Sequence, residues 1–308
     1  MKIAYLILAY NQPTHLARLV NALNSNNIYF FIHVDKKSNI EDFRNLIQLE
    51  NAVFIPERIK VYWGGYSQVE ATLNLLQAAT NFNVQFDRYC RLSGADFPIK
   101  SNLYITEFFA NNFDQEFIRV DRKLIGLPKN PSSGNINRYH FLDTSWLNPK
   151  ATKLKLGRIL VKRALLLLPK RRFVKVLPYH GSSWWCLTHQ SIKNVLHFVK
   201  NNPDYVKFNK SVAVSEEIFF HSIIKASPYA KNISHDFERT DTPLDFERSN
   251  EHGCHYIDWS DNESNSPRVL NESDFNRLSE SKCIFARKFD QFESQYLLKM
   301  LDEKILSR

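Results

Sequence analysis

The chain contains the stretch IAYLILAYNQPTHLARLVNALNSNNIYFFIHVD at residues 3–35, which carries its clearest structural signal. Residues 3–9 form a continuous apolar run, as expected for a strand that a parallel sheet buries on both faces. After the turn at Pro13, apolar residues recur at helical spacing from Leu16 to Leu23. A second apolar run, residues 28–34, ends at Asp35. This order of strand, helix and strand predicts a parallel sheet flanked by helices.

The same alternation continues along the chain and predicts a doubly wound α/β sheet. In the first half we predict strands over residues 52–55 and 89–93, helices over 41–48 and 67–79, and a strand that enters a turn over 61–65. In the second half we predict strands over 181–188 and 255–259 and helices over 190–200, 218–224 and 291–301. We expect a single domain, residues 1–308, with a first half (1–120), a variable basic and apolar segment (121–178) and a second half (179–308).

The composition is that of a soluble, globular, basic protein. Lys and Arg number 41 against 32 Asp and Glu, and the net charge of +9 favours anionic partners such as nucleotides, nucleic acid or acidic lipid. The four cysteines are far apart in the sequence and form no Cys-x-x-Cys pair, so we expect no metal cluster or dense disulfide framework, and a reducing compartment fits. The first apolar run ends at Tyr10, too short for a signal peptide or anchor, and no run reaches the roughly 18 apolar residues of a membrane span.

Several candidate ligand-binding residues follow the predicted strands. Ligands of such sheets bind beyond the carboxyl ends of the strands, where the sequence places Tyr10, Asp35, Trp63 and Asp96. The dinucleotide fingerprint G-x-G-x-x-G is absent from the sequence, which disfavours a nicotinamide or flavin enzyme and leaves a mononucleotide plausible.

Asp96, in the stretch LSGADFP (92–98), raises the question of a metal. An aspartate at a strand end often holds a cation beside a phosphorylated ligand, but such a site needs several hard oxygen ligands. Asp96 has no acid two residues away on either side, and the sequence contains no Asp-x-Asp. We therefore expect a site without a metal ion.

Two charged pairs could supply the chemistry instead. Glu216 and Glu217 follow Ser215, so they either complement the dipole of a Ser-capped helix or place a general base at its N-terminus; the helical periodicity does not choose between the two acids. Arg287 and Lys288 are either a solvated pair or ligands of a diphosphate. At 4 Å and an effective dielectric constant near 20, each cation would interact with a phosphate charge by about 4 kcal/mol before desolvation, so two or three cations could replace a divalent metal.

The segment 151–176 is rich in Lys and Arg around short apolar runs. It is either a solvated basic helix that packs through its leucine face or an interfacial helix in peripheral contact with anionic membrane lipid.

Seven segments in the order found here resemble the core-2/I-branching β-1,6-N-acetylglucosaminyltransferases and the related peptide O-xylosyltransferases of glycosyltransferase family 14. They are IHVDKK (32–37), VYWGGYS (61–67), LSGADFPI (92–99), GSSWW (181–185), SEEIFF (215–220), SPR (266–268) and FARKFD (285–290). The resemblance covers about residues 2–290, with a gap from about 120 to 178.

The resemblance implies a GT-A glycosyltransferase fold with a mixed, mostly parallel sheet flanked by helices, an inverting reaction with a UDP-sugar, and no divalent metal or other cofactor. It identifies Glu217 as the catalytic base. The donor-binding residues that it implies, together with the strand-end candidates, are Tyr10, Asp35, Trp63, Asp96, Arg268, Arg287 and Lys288, with Asp96 either a donor-sugar or a loop-ordering residue. The acceptor-side residues are Ser183, Trp184, Glu216 and Trp259.

Two departures shape the functional expectation. The xylosyltransferase branch carries an aspartate where this chain has Ser183, and the animal branching enzymes have an anchor and many cystines that are not seen here. We therefore expect a bacterial-type enzyme that moves a sugar, GlcNAc being typical of the family, to a glycan or lipid-linked acceptor in the cytoplasm or at the inner face of the plasma membrane. The alternatives are a xylosyltransferase-like enzyme that uses UDP-xylose or another UDP-sugar, an inactive sugar-nucleotide-binding relative and a basic nucleic-acid-binding protein. Nucleic acid is not an expected partner of the enzyme.

Overall fold

The computed structural model describes residues 1–124, 136–151, 155–171, 176–238, 250–260 and 266–306. Its strands are β1 (Ile3–Ala9), β2 (Ile28–Val34), β3 (Ala52–Phe54), β4 (Arg88–Ser93), β5 (Asp96–Pro98), β6 (Glu116–Lys123), β7 (Tyr179–Thr188), β8 (Ile233–Asp236), β9 (Glu251–His252), β10 (His255–Ile257) and β11 (Phe285–Arg287). Its α-helices are α1 (Pro13–Leu23), α2 (Glu41–Arg44), α3 (Ser67–Thr80), α4 (Asn102–Asn111), α5 (Lys155–Leu166), α6 (His189–Asn201), α7 (Pro203–Asn209), α8 (Phe219–Lys225), α9 (Phe275–Glu280) and α10 (Gln295–Leu301).

The main sheet has seven strands in the order β3-β2-β1-β4-β7-β6-β8. Strands β3, β2, β1 and β4 are mutually parallel, and β6 is parallel to β8. Only β7 among these strands runs antiparallel to its neighbours. The expected α/β architecture, a mixed, mostly parallel sheet flanked by helices, is confirmed.

The alternation of side chains along β1 shows why this sheet is buried on both faces. Ile3, Tyr5 and Ile7 belong to the apolar cluster that also contains the buried face of α1, whereas Ala4 and Leu6 belong to the cluster that contains the buried face of α3. Successive residues of a strand point to opposite faces, so a strand covered by helices on both sides must be apolar throughout.

A second, four-stranded sheet has the order β5-β11-β10-β9. Strand β11 lies antiparallel to β5, with Arg287 opposite Asp96. Two segments that the sequence marked as parts of a site are therefore register partners, although they are 191 residues apart along the chain.

The predicted elements differ from the structure mainly at the site. Residues 61–65 form a turn and no strand, β10 ends at Ile257 so that Trp259 lies beyond it, and the last helix begins at Gln295 rather than at residue 291. Strands β5 and β6 and helix α4 were not predicted; β6 inserts into the main sheet beside β7. The division into halves stays a prediction, and parts of the variable segment (125–135, 152–154 and 172–175) lie outside the described residues.

The four cysteines are buried free thiols. Cys90 and Cys186 are register partners across β4 and β7. Within the described ranges, no helix has the length and apolar character that crossing a bilayer requires.

Candidate active site

The candidate site begins where β1, β2 and β4 end. The Asp35 amide donates to the Ala9 carbonyl at 2.8 Å, and the Gly94 amide donates to the Leu8 carbonyl at 2.9 Å. These hydrogen bonds hold Asp35 and the turn after β4 beside Tyr10, whose side chain is 65% exposed. The predicted strand-end residues Tyr10 and Asp35 are thus neighbours at one edge of the sheet.

The turn around Trp63 joins this edge to the two glutamates. Gly64 has φ +68°, a conformation that favours glycine, and a Cβ on Gly65 would lie 2.0 Å from an Asp143 oxygen. The Val214 amide donates to the Gly64 carbonyl at 2.7 Å. Val214 itself has φ +53°, which is strained for a β-branched residue and is the kind of backbone found at functional sites. The turn around Trp63 is therefore hydrogen-bonded to the residue that precedes Ser215.

Glu216 and Glu217 lie in a one-turn 3-10 helix, Ser215–Glu217, that precedes α8. The predicted Ser cap is wrong: among the described residues, no side chain caps either helix, and the buried Ser215 hydroxyl has no hydrogen-bond partner there. The two acids therefore do not act mainly through the dipole of a capped helix.

Glu217 is the end of a chain of polar contacts. Its Oε2 lies 3.0 Å from His180 Nε2, and His180 Nδ1 lies 3.2 Å from Asp121 Oδ2. Asp121 in turn accepts a 2.6 Å hydrogen bond from Arg119 Nε. The Glu217 side chain keeps 28% of its surface exposed, whereas His180 keeps 12%.

The charge states of His180 and Asp121 follow from their burial and from their hydrogen bonds. Burial disfavours the imidazolium of His180, but hydrogen bonds to Asp121 and Glu217 outweigh it and raise the pKa of His180 to about 9. Burial also works against the Asp121 carboxylate, yet His180 and Arg119 lower its pKa well below the usual value. At neutral pH, an imidazolium therefore lies between two carboxylates.

Glu216 is buried, in contrast to the partly exposed Glu217. Only 4% of its surface is exposed, and its Oε2 has no hydrogen-bond partner within the described part of the chain. Burial, and next the neighbouring Glu217, raise the pKa of Glu216 to about 8. Two adjacent glutamates are thus separated by environment into a neutral, buried acid and a partly exposed group that faces an imidazolium.

Asp96 is fully buried and binds groups from four segments. Its carboxylate accepts from the Ser93 amide at 2.7 Å, the Trp184 indole at 3.1 Å and Arg287 Nη1 at 2.8 Å, and it lies 3.4 Å from His255 Nε2. Burial alone would raise the pKa of Asp96, but Arg287 and His255 lower it well below its usual range. Since no part of the side chain reaches solvent, the structure favours the loop-ordering alternative over direct contact with a donor sugar.

Arg287 and Trp184 form one unit above Asp96. The Arg287 guanidinium carbon lies 4.1 Å from the centroid of the Trp184 ring. Ser183, the neighbour of Trp184, is buried, and its carbonyl accepts a 2.5 Å hydrogen bond from Arg91. Burial places Ser183 and Glu216 away from an incoming acceptor, so direct acceptor contact by these two predicted residues is not favoured.

Arg268 is held by two buried carboxylates. Its Nη2 lies 2.7 Å from Asp258 and 2.5 Å from Asp274, and both aspartates are 3% exposed. The hydrogen bonds that Arg268 donates to Asp274 and Asp258 raise its pKa. A predicted phosphate ligand is thus already neutralised, and binding a diphosphate would require it to leave these partners.

Lys288 has a different neighbour. Partial desolvation and then the charge of Lys288 lower the pKa of Lys150, whose ammonium lies 4.7 Å from the centroid of the Trp63 ring. Among the described residues, neither lysine forms an ion pair with a carboxylate. Two like charges beside the predicted donor turn, with no counter-charge of their own, form a setting that an anion would stabilise.

Trp63 and Trp259 are both open to solvent, with 42% and 43% of their surfaces exposed. In the described part of the chain, no group of three or more His, Cys, Asp or Glu side chains is arranged to hold a metal ion. Independence from metal stays a prediction.

Sequence reasoning missed His180, Asp121, Arg91 and Lys150. His180 directly precedes the GSSWW segment and could have been found there, whereas Asp121 lies on β6, which was not predicted. Arg91 is hidden in the apolar run of β4, and Lys150 lies one residue before the segment 151–176.

The strand order and the flanking helices define an α/β protein with a mixed, mostly parallel sheet. Within that class, the chain belongs to the Core-2/I-Branching enzyme family, whose model matches residues 3–279. The resemblance inferred from the motifs is confirmed.

Curated relatives resemble the whole chain at low identity. Xylosyltransferase 2 of Mus musculus is 24% identical over 319 aligned residues, covering 98% of this chain and 33% of the relative. Xylosyltransferase 1 of Homo sapiens is also 24% identical, over 320 residues, covering 98% and 30%. The chain thus spans about a third of the length of these relatives.

Solved structures show weaker similarity. The apo form of mouse xyloside xylosyltransferase 1 has a TM-score of 0.30 at 11% identity, covering 76% of this chain and 84% of that one. The 4-diphosphocytidyl-2C-methyl-D-erythritol synthase from Anaerococcus prevotii has a TM-score of 0.31 at 10% identity, covering 66% and 75%.

Proposed function

We propose that this protein is an inverting glycosyltransferase that moves a sugar from a UDP-sugar to a hydroxyl group of a glycan or lipid-linked saccharide without a divalent metal. The observation that carries the proposal is the part-exposed Glu217 carboxylate, held at 3.0 Å by His180 beside the turn that contains Trp63. Family membership supports it, and so do the xylosyltransferase relatives.

Glu217 acts as the base. Its oxygens accept the proton of the acceptor hydroxyl while that oxygen attacks the anomeric carbon and the bond to UDP breaks. A positioned general base contributes about 10²–10⁴-fold to such a step. Glu216 is neutral and buried, and no described residue hydrogen-bonds to its Oε2, so its role is to shape the turn rather than to take the proton.

Cations compensate for the charge that develops on the departing UDP. Lys288 and Lys150 are the residues proposed for this role, because they lie beside the donor-side turn and repel each other. Arg287 adds a third positive charge, although Asp96 already offsets part of it. Preorganised charges aimed at the leaving group lower the barrier without reorganisation during the reaction.

His180 positions Glu217, and a rate measurement tests this. In His180→Gln, a neutral amide replaces the imidazolium, so we expect kcat at pH 7 to fall by about tenfold or more while UDP affinity changes little, because Glu217 loses its charged hydrogen-bond partner. His197→Gln, on the exposed side of α6, is the matched control.

The thermal stability of His180→Gln as a function of pH gives a second test of the charge on His180. Because the folded-state pKa of His180 is raised from 6.5 to about 9, its contribution to stability is complete below pH 6.5 and is lost as the pH rises through about 9. The difference in Tm between wild type and His180→Gln should therefore disappear above that pH. A constant difference from pH 6 to 10 would contradict the charged role.

The sugar is a choice between two candidates. GlcNAc is the donor sugar expected from the resemblance, whereas the relatives named xylosyltransferases favour xylose. Ser183, at the position where the xylosyltransferase branch carries an aspartate, weakens the case for a peptide xylosyltransferase.

A panel of UDP-sugars separates these possibilities. We expect UDP and one UDP-sugar to raise the Tm of the protein equally with and without EDTA, and we expect that sugar to be transferred when glycan acceptors are supplied. Loss of the Tm shift in EDTA would contradict metal independence. Binding without any transfer would identify an inactive sugar-nucleotide-binding relative, and tight DNA binding without UDP binding would identify a nucleic-acid-binding protein.

A further inference from the structure

Helix α5 and the residues that follow it present an uncovered apolar face. Leu160 is 65% exposed and Leu167 is 88% exposed. The large apolar side chains exposed in this stretch are Ile159, Leu160, Leu166, Leu167 and Leu168. We name this set, together with the exposed Lys162, Arg163 and Lys170, the α5 surface.

The opposite side of α5 faces the rest of the protein. Arg158, Val161 and Leu165 recur at helical spacing and line a cavity of about 30 Å³ with Tyr139 and Leu147. The orientation of the helix is fixed at its end as well, because Arg138 donates to the carbonyls of residues 166 and 168. The exposed leucines therefore cannot be the packing face of this helix.

The positive charge around the α5 surface indicates an anionic partner. Between Asp143 and Asp204 the sequence contains no acidic residue, while Lys and Arg recur throughout 150–175. A basic surface alone would suit any polyanion, but phosphate groups of nucleic acid make no use of neighbouring leucines. Basic side chains around exposed leucines instead match an anionic lipid interface, where acyl chains take the apolar groups and headgroups take the cations.

The α5 surface is tied to both sides of the candidate site. Before the helix, Asn148 donates to the Trp63 carbonyl at 2.9 Å and Lys150 covers the Trp63 ring. After it, Arg171 donates to the Ser211 carbonyl at 2.9 Å, four residues before the turn that holds Glu216 and Glu217. A lipid bilayer in contact with the α5 surface would therefore lie close to the turn around Trp63 and to the turn that holds Glu216 and Glu217.

We propose that the α5 surface docks on anionic membrane and presents the site to a lipid-linked saccharide. The docking stands on the surface itself, whereas the choice of acceptor rests on the proposed function.

Vesicle co-sedimentation tests the docking. We expect binding to vesicles of phosphatidylcholine with phosphatidylglycerol and at least tenfold weaker binding to phosphatidylcholine alone. The double variant Leu160→Glu/Leu167→Glu should lose binding to the mixed vesicles at least tenfold. The matched control is Leu103→Glu on α4, because Leu103 is 64% exposed and lies outside the α5 surface.

The outcomes separate docking from catalysis. Glu217→Gln should bind the mixed vesicles like wild type, and the double variant should transfer sugar to a water-soluble acceptor like wild type but lose at least tenfold on an acceptor embedded in vesicles. Vesicle binding in a protein with no transferase activity would leave docking standing and remove the proposed function. Equal vesicle binding by the double variant and wild type would overturn the docking, as would salt-sensitive DNA binding without vesicle binding.

Discussion

Replacing Glu217 by Gln is expected to lower the transfer rate by about 10²–10⁴-fold, because the amide cannot accept the proton of the attacking hydroxyl. UDP binding should change by less than about twofold, since the side chain keeps its shape and its contact with His180. The measurements are initial rates with saturating donor and a titration of UDP by calorimetry.

The neighbouring glutamate provides the matched control. Glu216 has a pKa of about 8, so at neutral pH it is mostly the protonated acid, which Gln closely imitates. Glu216→Gln should therefore keep transfer within a few-fold of wild type. If the two variants exchanged these results, the base would be Glu216 and the environments described here would have been assigned to the wrong roles.

Alanine at Lys288 and at Lys150 is expected to weaken UDP binding by about tenfold each, which corresponds to about 1.4 kcal/mol per cation. The full attraction of about 4 kcal/mol at 4 Å is reduced because both side chains are accessible to water. The double variant should lose about a hundredfold or more, and the loss should be the same in EDTA. The measurement is UDP affinity by calorimetry at two salt concentrations, since screening weakens such contacts.

Arg268→Ala distinguishes a phosphate ligand from a structural cation. Removing Arg268 leaves Asp258 and Asp274 without their main counter-charge, and breaking a buried pair in this way costs about 3 kcal/mol or more. We therefore expect a clear fall in Tm for this variant and a smaller one for the lysine variants. A hundredfold loss of UDP affinity at unchanged Tm would instead place Arg268 on the diphosphate.

Much of the fold was readable because the sequence signals were local. The apolar runs of β1 and β2 are bounded as predicted, since a strand buried on both faces is a near-continuous run of apolar residues. Strand β5 was not predicted, since three residues that contain Asp96 and Pro98 carry no periodic pattern. Its strand character comes from pairing with β11, a contact that no local window contains.

The sequence named candidate site residues but not the contacts between them. Glu217, Trp63 and Arg287 were named from motifs. The same motifs also named Asp96 and Arg268, which form ion pairs with other protein groups. Residue type reveals which chemistry a side chain can perform, whereas only the fold reveals which partner already uses it. His180 and Asp121 show the converse, because their importance lies in a contact between β7 and β6 that the sequence does not display.

The pairing of Asp96 with Arg287 has a consequence for synthesis. The two residues are 191 positions apart, so a ribosome that adds 5–20 residues per second makes them about 10–40 s apart. Until β11 arrives, the carboxylate lacks the guanidinium that compensates for its burial, and β5 lacks its hydrogen-bonding neighbour. We expect a chain that stops short of residue 285 to leave strand β5 without its β11 neighbour and Asp96 without its guanidinium partner.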